Sequence, residues 1–464
     1  MRSLLSVAQM ISEYFCENAE KVSPFHPGEN HPPYAELSSL SETLSTYFDN
    51  ENGGFGNRQK FPPHSTLLFL LYQLDINDTP EARFMCRKTL DAIQLRGLND
   101  HLQGGVFRYC VDGAWTIPHF EKMLYDQAMV LWAFSLGYRV IGNNAYKTMA
   151  ENILRCLQES FEVDGLYISA HDADTEHAEG GTYLWSHDEL KEILSPSELE
   201  SLANTYVIEN GGNFEGKVHL IRMNDTPLYN IEEKLLSVRK ARRQPAPDGK
   251  ILCGINALTA IALIQAGRNL ERPDLEEKAS LIIRKLVNIF WNGKVLRHSY
   301  FQGILQEQSF LFDAASTLTA ITMLYENDLA WYNLMEKMTG YLKSFKNKEI
   351  WIESVSEDFH PVAASWFDHP VPSSISLAEL GLTRAALLAG REPEVLQFRE
   401  SFQSDFYNLT VLVNNGSFHL FTSPDLIPWR NIPVNSLQRR GTPSTDCYNG
   451  TCMSIEPDDY KYGQ

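Results

Sequence analysis

Residues 115–134, WTIPHFEKMLYDQAMVLWAF, begin with a histidine and several charged groups and continue as a segment that is apolar on every side. The ionisable side chains near its start are His119, Glu121, Lys122, Tyr125 and Asp126. On a helix that begins at Pro118, the histidine, the lysine and the aspartate share one face. Such a set at the edge of a concave surface could carry out general acid–base catalysis. The structural alternative is a Lys122–Asp126 ion pair with a histidine that caps or packs.

The segment SAHDADTEHAEGGTYLW, residues 169–185, is the densest polar cluster of the chain. In an extended conformation Asp172 and Asp174 point to the same side. Two neighbouring carboxylates, one with its pKa raised by the other, are what glycoside hydrolysis or sugar isomerisation needs. A solvated acidic loop is the alternative. A calcium loop starting at Asp172 would have His177 where glycine is required and Tyr183 where glutamate is required, so we predict no metal site.

Two glycine-rich stretches, residues 53–61 and 100–115, match no phosphate-binding pattern, and their glycines are typical of tight turns. They nevertheless contribute basic and aromatic side chains next to the polar clusters. Tryptophans near the long loops could stack on sugar rings, although ordinary core packing explains them equally well. The residues that we expect to bind substrate are Arg58, Lys60, Arg108, Tyr109, Trp115, Tyr125, Glu179 and Trp185.

The net charge of −19 over 464 residues argues against nucleic acid or an anionic membrane as the main partner. No apolar run is long enough to span a bilayer, and Glu13 interrupts any signal-type core near the N-terminus. The seven scattered cysteines fit a reducing, cytoplasmic compartment. The motif CYNGTC, with Cys447 and Cys452, is weak evidence for redox or metal chemistry, and two unpaired thiols are favoured. No cofactor is expected.

Helical periodicity dominates the chain. Segments that are apolar nearly all round alternate with segments that have one apolar stripe, as in an inner and an outer ring of helices. The predicted helices lie near 35–49, 63–76, 79–95, 118–141, 144–160, 187–206, 231–242, 254–270, 273–291, 309–327, 328–345, 373–390 and 392–405.

Connections after the inner helices are short, and connections after the outer helices are long, so all long connections must emerge at one end of the ring. We therefore predict an all-α (α/α)6 barrel over residues 35–405, with short β-hairpins in the long loops around one mouth. Residues 187–242 fit this ring least well. Residues 1–34 are expected to form a helix and linker, and residues 406–464 a small β-containing tail. A two-domain helical repeat with an open groove is the alternative.

Several segments resemble the thioredoxin-domain-containing, spermatogenesis-associated protein 20 family. The resemblance rests on GGFG…KFP, GGVFRYCVDGAWTIPHFEKMLYD, DADTEHAEGGTYLW, GNFEGK, RKARRQPAPDGKIL and CYNGTC. It implies a barrel similar to six-hairpin glycosidases and N-acylglucosamine 2-epimerases, without an established activity. It also implies that a thioredoxin-like domain precedes this region in the family, so that residues 1–34 are a remnant after that domain and a separate thioredoxin-like protein is an expected partner.

These observations predict a carbohydrate-directed protein, a sugar isomerase, epimerase or glycoside hydrolase that binds a small sugar-like ligand. The candidate catalytic residues are Asp126, His119, Glu121, Asp172, Asp174 and Asp313. In this hypothesis Asp126 and one of the two loop aspartates act as acid and base, and His119 orients the ligand or shuttles protons. Departures from the family pattern at Gly249, Ile255, Ala257 and Ile375 leave open the alternative of an inactive binding or scaffold protein.

Overall fold

The computed structural model describes residues 41–209, 211–347, 350–354, 362–365, 368, 370–391, 419–448 and 451–455. Within these ranges twelve α-helices dominate, and they fall into an inner set, an outer set and a separate group. The inner helices are α1 (His64–Ile76), α3 (Leu124–Ile141), α8 (Cys253–Leu270), α10 (Leu311–Asn327) and α12 (Ser374–Leu388). The outer helices are α2 (Pro80–Leu95), α4 (Asn144–Cys156), α9 (Pro273–Phe290) and α11 (Tyr332–Lys343).

The inner helices are buried on nearly every side, which explains their lack of a polar stripe. They pack in the order α1, α3, α8, α10 and α12, and each of the first four is followed by an outer helix that packs against it. The outer helix α4, by contrast, buries only one stripe that includes Tyr146, Met149 and Ile153. The predicted (α/α)6-type architecture is confirmed, and its helices 35–49 and 392–405 lie partly or wholly outside the described residues.

A backbone hydrogen bond recurs where the inner helices begin. The first residue of α3, Leu124, donates its N–H to Ser169 O, the first residue of α8, Cys253, to His298 O, and the first residue of α10, Leu311, to Glu353 O. The acceptor always lies in the long loop that precedes the next inner helix. This repeat holds the start of each of these helices against the long loops, so the starts and the loops share one end of the ring, as predicted. We call this end the mouth.

Short strands line the mouth. They are β1 (Tyr109–Cys110), β2 (Pro118–His119), β3 (Lys122–Met123), β4 (Glu162–Val163), β5 (Leu166–Tyr167), β6 (Ala170–His171), β7 (Asp174–Thr175), β8 (Ala178–Glu179), β9 (Pro247–Asp248), β10 (Ile251–Leu252), β11 (Ser299–Phe301), β12 (Ile304–Leu305), β13 (Lys346–Asn347) and β14 (Ile350–Trp351). Three-stranded sheets form from β3, β6 and β9 and from β10, β11 and β12, and the other strands pair as hairpins.

The start of α3 corrects one prediction. Pro118 does not open the helix, because Pro118–His119 pairs with β1 and Lys122–Met123 pairs with β6. The helix begins only at Leu124. His119 and Lys122 therefore lie on strands and not on a helical face with Asp126.

Helices α5 (His187–Ile193), α6 (Pro196–Thr205) and α7 (Tyr229–Ala241) lie outside the ring, since α3 packs directly on α8. They surround a small core of their own that includes Trp185, Leu202 and Leu235. The expectation of ring helices at 187–206 and 231–242 is wrong, because these helices do not lie between α3 and α8. The predicted helix 187–206 is in fact two helices, since α5 ends near Leu194 and α6 begins with its own cap. A capping serine and a proline at the first helical position explain the break.

The C-terminal strands β15 (His419–Ser423), β16 (Ser436–Arg440), β17 (Thr445–Tyr448) and β18 (Thr451–Ser454) form a mixed sheet in the order β16-β15-β17-β18. This sheet and its loops contact the ends of the inner helices opposite the mouth, where the Gln438 N–H donates to Glu326 and Arg139 donates to Trp429 O. Cys447 and Cys452 are joined by a disulfide between β17 and β18, so the expectation of two unpaired thiols is wrong. No helix in the described ranges combines the length and apolar content of a bilayer-spanning segment.

Candidate active site at the mouth

The first polar centre joins the starts of α1 and α3. His64 is the first residue of α1, and its Nε2 lies 2.7 Å from Oδ1 of Asp126, the third residue of α3. Both side chains are at most 3% exposed. Burial raises the pKa of Asp126, although the hydrogen bond and charge of His64 oppose the shift. Oδ2 of Asp126 is buried and has no hydrogen-bond partner in the described parts of the chain, which is unusual for a buried carboxyl oxygen.

A cluster of charged groups lies beside this centre. Arg108 Nη1 lies 2.7 Å from Glu121 Oε2, and His119 Nδ1 lies 2.7 Å from Glu179 Oε1. The other ring nitrogen of His119, Nε2, lies 3.8 Å from Glu121 Oε2. Side-chain exposure is 40% at Arg108 and Glu179, 24% at Glu121 and 2% at Asp126. The charges of Arg108 and Glu121 act on Asp126, so the cluster influences the protonation of the buried carboxyl group.

Aromatic rings border this cluster. Phe61 stacks on Tyr109 with ring centroids 4.6 Å apart, and Tyr109 lies over His119 at 5.2 Å. Phe61 is 38% exposed, so this stack lies at the surface of the mouth. Tyr125 hydrogen-bonds to Arg108, and burial together with the charge of Asp126 raises the pKa of the phenol to about 12. Tyr125 is therefore a neutral donor at physiological pH.

A second centre joins the starts of α8 and α10. Asp313 is the third residue of α10, as Asp126 is of α3. Its Oδ1 accepts the Gly254 N–H at 2.8 Å, and its Oδ2 lies 2.9 Å from His298 Nδ1. Burial lowers the pKa of His298, but the hydrogen bond and charge of Asp313 outweigh burial and raise it above the ordinary histidine value.

Glu353 belongs to this second centre. Its carboxylate accepts a hydrogen bond from Ser374, the first residue of α12, at 3.0 Å. Burial and the charge of Asp313 raise its pKa, and Ser374 opposes the shift. His298 is 30% exposed, whereas Asp313 behind it is 1% exposed. The histidine is the group of this centre that a ligand can reach.

We compared the chain with known proteins. No family model matches it. The chain is similar to spermatogenesis-associated protein 20. The human protein of that name is 28% identical over 349 residues, which cover 62% of this chain and 44% of the human protein. An uncharacterised protein of Caenorhabditis elegans is 27% identical over 62% of this chain and 47% of its own length. The chain spans less than half the length of the curated relatives that it matches.

Among solved structures, the chain resembles a sugar epimerase from a ruminal bacterium and a family 76 glycoside hydrolase (mannosidase) of Bacteroides thetaiotaomicron. The epimerase is 14% identical with a TM-score of 0.35, over 70% of this chain and 92% of that protein. The mannosidase is 8% identical with a TM-score of 0.45, over 82% of this chain and 97% of that protein. These scores indicate a loose likeness, and the fold is assigned from the helix pairing alone.

The loop aspartates lie at the same end of the ring but apart from the two centres. Asp172 directly follows β6, which pairs with the strand leading into α3, and Asp174 pairs with Glu179 across the β7–β8 hairpin. Both carboxylates are exposed, and one oxygen of Asp172 accepts the Asp174 N–H. No hydrogen bond or ion pair in the described residues joins either carboxylate to Asp126 or His119.

Three of the predicted binding residues are used for packing. Lys60 is fully buried and donates to Asp49 and Gly56 O. Trp115 is fully buried and donates to Gly53 O, and Trp185 lies in the core of the outlying helices under Arg242. Neither tryptophan has an exposed face on which a sugar could stack. Arg58, in contrast, is exposed on its loop.

Lys122 also has a structural role. It is buried and donates to Asp100, which receives Arg239 of α7 on the same carboxylate. The two cations lower the pKa of Asp100 despite its burial. The network ties the outlying helices to β3 at the mouth, and it replaces the Lys122–Asp126 pair considered from sequence.

His64, Phe61, His298 and Glu353 were missed from the sequence. His64 satisfies the rule that identified the other candidates, because it is a polar residue at the start of an all-apolar inner helix. His298 lies within the long loop after α9 and carried no comparable local signal. Within the described ranges no three ligating side chains converge as a metal site would require.

Proposed function

We propose that this protein binds a sugar at the mouth and transfers protons on it, as a sugar isomerase or epimerase does. The observation that carries the proposal is Asp126, a buried carboxyl group with a raised pKa and an unpaired oxygen, beside the charged cluster of the mouth. A raised pKa favours the protonated form of a carboxyl group, which is the form that can donate a proton to a substrate oxygen.

His298 is the proposed base. Isomerisation removes a proton from the carbon next to a carbonyl group and returns one, while a second group protonates and deprotonates the oxygens. His298 is reachable, and Asp313 fixes its tautomer and raises its pKa. The equal positions of Asp126 and Asp313 on two inner helices support a site that spans the mouth.

The rim supplies groups that sugars need for binding. The partly exposed Phe61–Tyr109 stack offers aromatic surface near which the C–H groups of a sugar ring can pack. Glu121, Glu179 and Arg108 offer acceptors and donors for hydroxyl groups beside it. Glycoside hydrolysis needs two carboxyl groups that flank one bound sugar, and the loop carboxylates Asp172 and Asp174 are both exposed, so proton transfer by the buried Asp126 is the reaction proposed.

A non-catalytic sugar-binding protein is the second candidate. The burial of Asp126 favours it, since this side chain is only 2% exposed and no hydrogen bond or ion pair among the described residues joins it to His298. The same mouth would then bind a sugar without proton transfer.

Solvent exchange separates the two candidates. A panel of neutral mono- and disaccharides is first screened by thermal shift, with Asp126→Asn and His119→Ala beside the wild type. Each sugar that stabilises the protein is then incubated with it in D2O and followed by NMR. Deuterium at the carbon next to the carbonyl group supports an isomerase or epimerase, and binding without exchange supports the second candidate. If no sugar raises the melting temperature, the carbohydrate proposal is wrong.

A further inference from the structure

We infer that the sugar recognised at the mouth carries no phosphate or carboxylate group and is neutral or positively charged. The inference rests on the proposed function and adds the charge of the substrate to it. It depends on the charged side chains that line the two polar centres, and on the lysines and arginines nearby that are already paired with carboxylates.

The first centre has an excess of carboxylates. Glu121, Glu179 and Asp126 face one permanent cation, Arg108, which already pairs with Glu121. His119 lies between the two glutamates. Even with Asp126 protonated, two carboxylates stand against one guanidinium group. Oδ2 of the buried Asp126 accepts no hydrogen bond from the described residues, so no donor offsets this carboxyl group on that side.

The second centre has no lysine or arginine among its described contacts. Asp313 contacts His298 and the Gly254 N–H, and Glu353 contacts Ser374. Arg297, the neighbour of His298, pairs with Glu307. An anionic group placed here would meet carboxylates at short range, with one histidine to offset them.

The lysines on the segments that lead into the inner helices α1, α3 and α8 are already paired with carboxylates, so they are not available to bind phosphate. Lys60 is buried against Asp49, and Lys122 is buried against Asp100. Lys250 is exposed, but it pairs with Asp248 of β9. Arg58 and Lys294 are exposed cations of the long loops that could still contact an anion, and Arg58, in the loop that precedes α1, is included in the test.

The test compares derivatives of one sugar that carry a neutral, a cationic or an anionic group on the same ring, and the salt dependence separates charge from size. Glucose, glucosamine, glucose 6-phosphate and glucuronate, and the corresponding four compounds of mannose, are titrated calorimetrically at low and moderate salt. We expect both anionic derivatives to bind at least about ten-fold more weakly than the neutral parent, a gap of roughly 1.4 kcal/mol that narrows as salt rises. Glucosamine or mannosamine should bind as well as the parent or better.

Variants test whether the carboxylates of the first centre cause the weaker binding of anionic sugars. Glu121→Gln and Glu179→Gln should narrow the gap between neutral and anionic sugars, whereas Glu200→Gln on the outlying α6 should leave it unchanged. Equal or tighter binding of a sugar phosphate or uronate would overturn the inference, most clearly if Arg58→Gln abolishes that binding, and the carbohydrate proposal would stand. If none of the eight compounds binds and the wider sugar panel is also negative, both proposals fail.

Discussion

The two histidine–aspartate pairs of the mouth use the same two residue types in reversed roles. At the starts of α1 and α3, His64 is buried at 3% exposure, and Asp126 has an oxygen without a partner. At the start of α10, both oxygens of Asp313 are bonded, and His298 is 30% exposed. In the first pair the histidine supports the aspartate, and in the second the aspartate supports the histidine.

This difference assigns separate roles to two positions that a repeat would make equivalent. Burial without full hydrogen bonding favours the neutral carboxylic acid at Asp126, which suits a proton donor. Burial raises the pKa of Asp313 as well, but both of its oxygens are bonded, and its contact with the accessible imidazole raises the pKa of His298 and fixes the orientation of that ring. One ring of similar hairpins can thus place an acid and a base at one mouth.

The largest effect is expected at His298. With His298→Gln, the rate of deuterium exchange on a bound sugar should fall by about 10² to 10⁴, because the proposed base is lost. The matched control is His419→Gln, which removes the histidine of another aspartate pair, with Asp446, in the C-terminal sheet. NMR in D2O measures both variants. Unchanged exchange in His298→Gln, with sugar binding retained, would remove this histidine from the mechanism.

Asp126→Asn should reduce exchange by about 10²-fold or more and leave the fold intact. Since burial raises the pKa of Asp126, its stabilising contribution is complete below the unfolded value of 3.8 and is lost as pH rises through the folded pKa. Asparagine does not ionise, so the variant should be as stable as the wild type or more stable at neutral pH, with the difference vanishing in acid. Melting curves between pH 4 and about 7.5 test this; a large loss of stability would show that the ionised carboxylate is structural.

Asp313→Asn should have an intermediate effect, about ten-fold in rate at neutral pH, because His298 remains but loses the charge that raises its pKa. The acidic limb of the kcat/KM profile should move to lower pH. The raised pKa of His298 stabilises the fold below the unfolded value of 6.5, and this contribution is lost as pH rises through the folded pKa. The stability difference between wild type and variant should therefore be larger below pH 6.5 than above the folded pKa. An unmoved acidic limb would contradict the support that we assign to Asp313.

Much of the architecture was predictable because it depends on local patterns. Helices that are apolar all round alternate in the sequence with helices that have one apolar stripe, and short connections alternate with long ones. These two patterns together predicted the ring of helices and the position of its mouth. The start of α3 was not predictable in the same way. The pairing of Lys122 with His171 joins residues far apart in the chain, and this long-range pairing keeps Pro118–Met123 extended.

The candidate site was predictable only in part for a related reason. His119, Glu121, Asp126, Arg108, Tyr109, Tyr125 and Glu179 do lie together, since they flank one inner helix and its neighbouring loops. Trp115 and Trp185 were assigned to ligand binding by residue type, but residue type does not distinguish a core tryptophan from an exposed one. His298 is recognised only once the loop after α9 folds back onto Asp313.

The smallest effect is expected at His64, which supports Asp126 from behind without reaching solvent. His64→Gln replaces the imidazole by a neutral amide, which weakens the hydrogen bond to Oδ1 and removes the charge, and both of these lower the pKa of Asp126 in the wild type. That pKa should therefore rise further, and the alkaline limb of kcat/KM should move to higher pH, because the acid keeps its proton longer. The rate at neutral pH should change only a few-fold, and the stability loss should be about 1 kcal/mol, the value of one hydrogen bond. Phe69→Leu in the same helix, away from Asp126, controls for loosened packing. A loss of activity as large as that of His298→Gln would show that the two pairs act alike, and the reversed roles assigned to them would then be wrong.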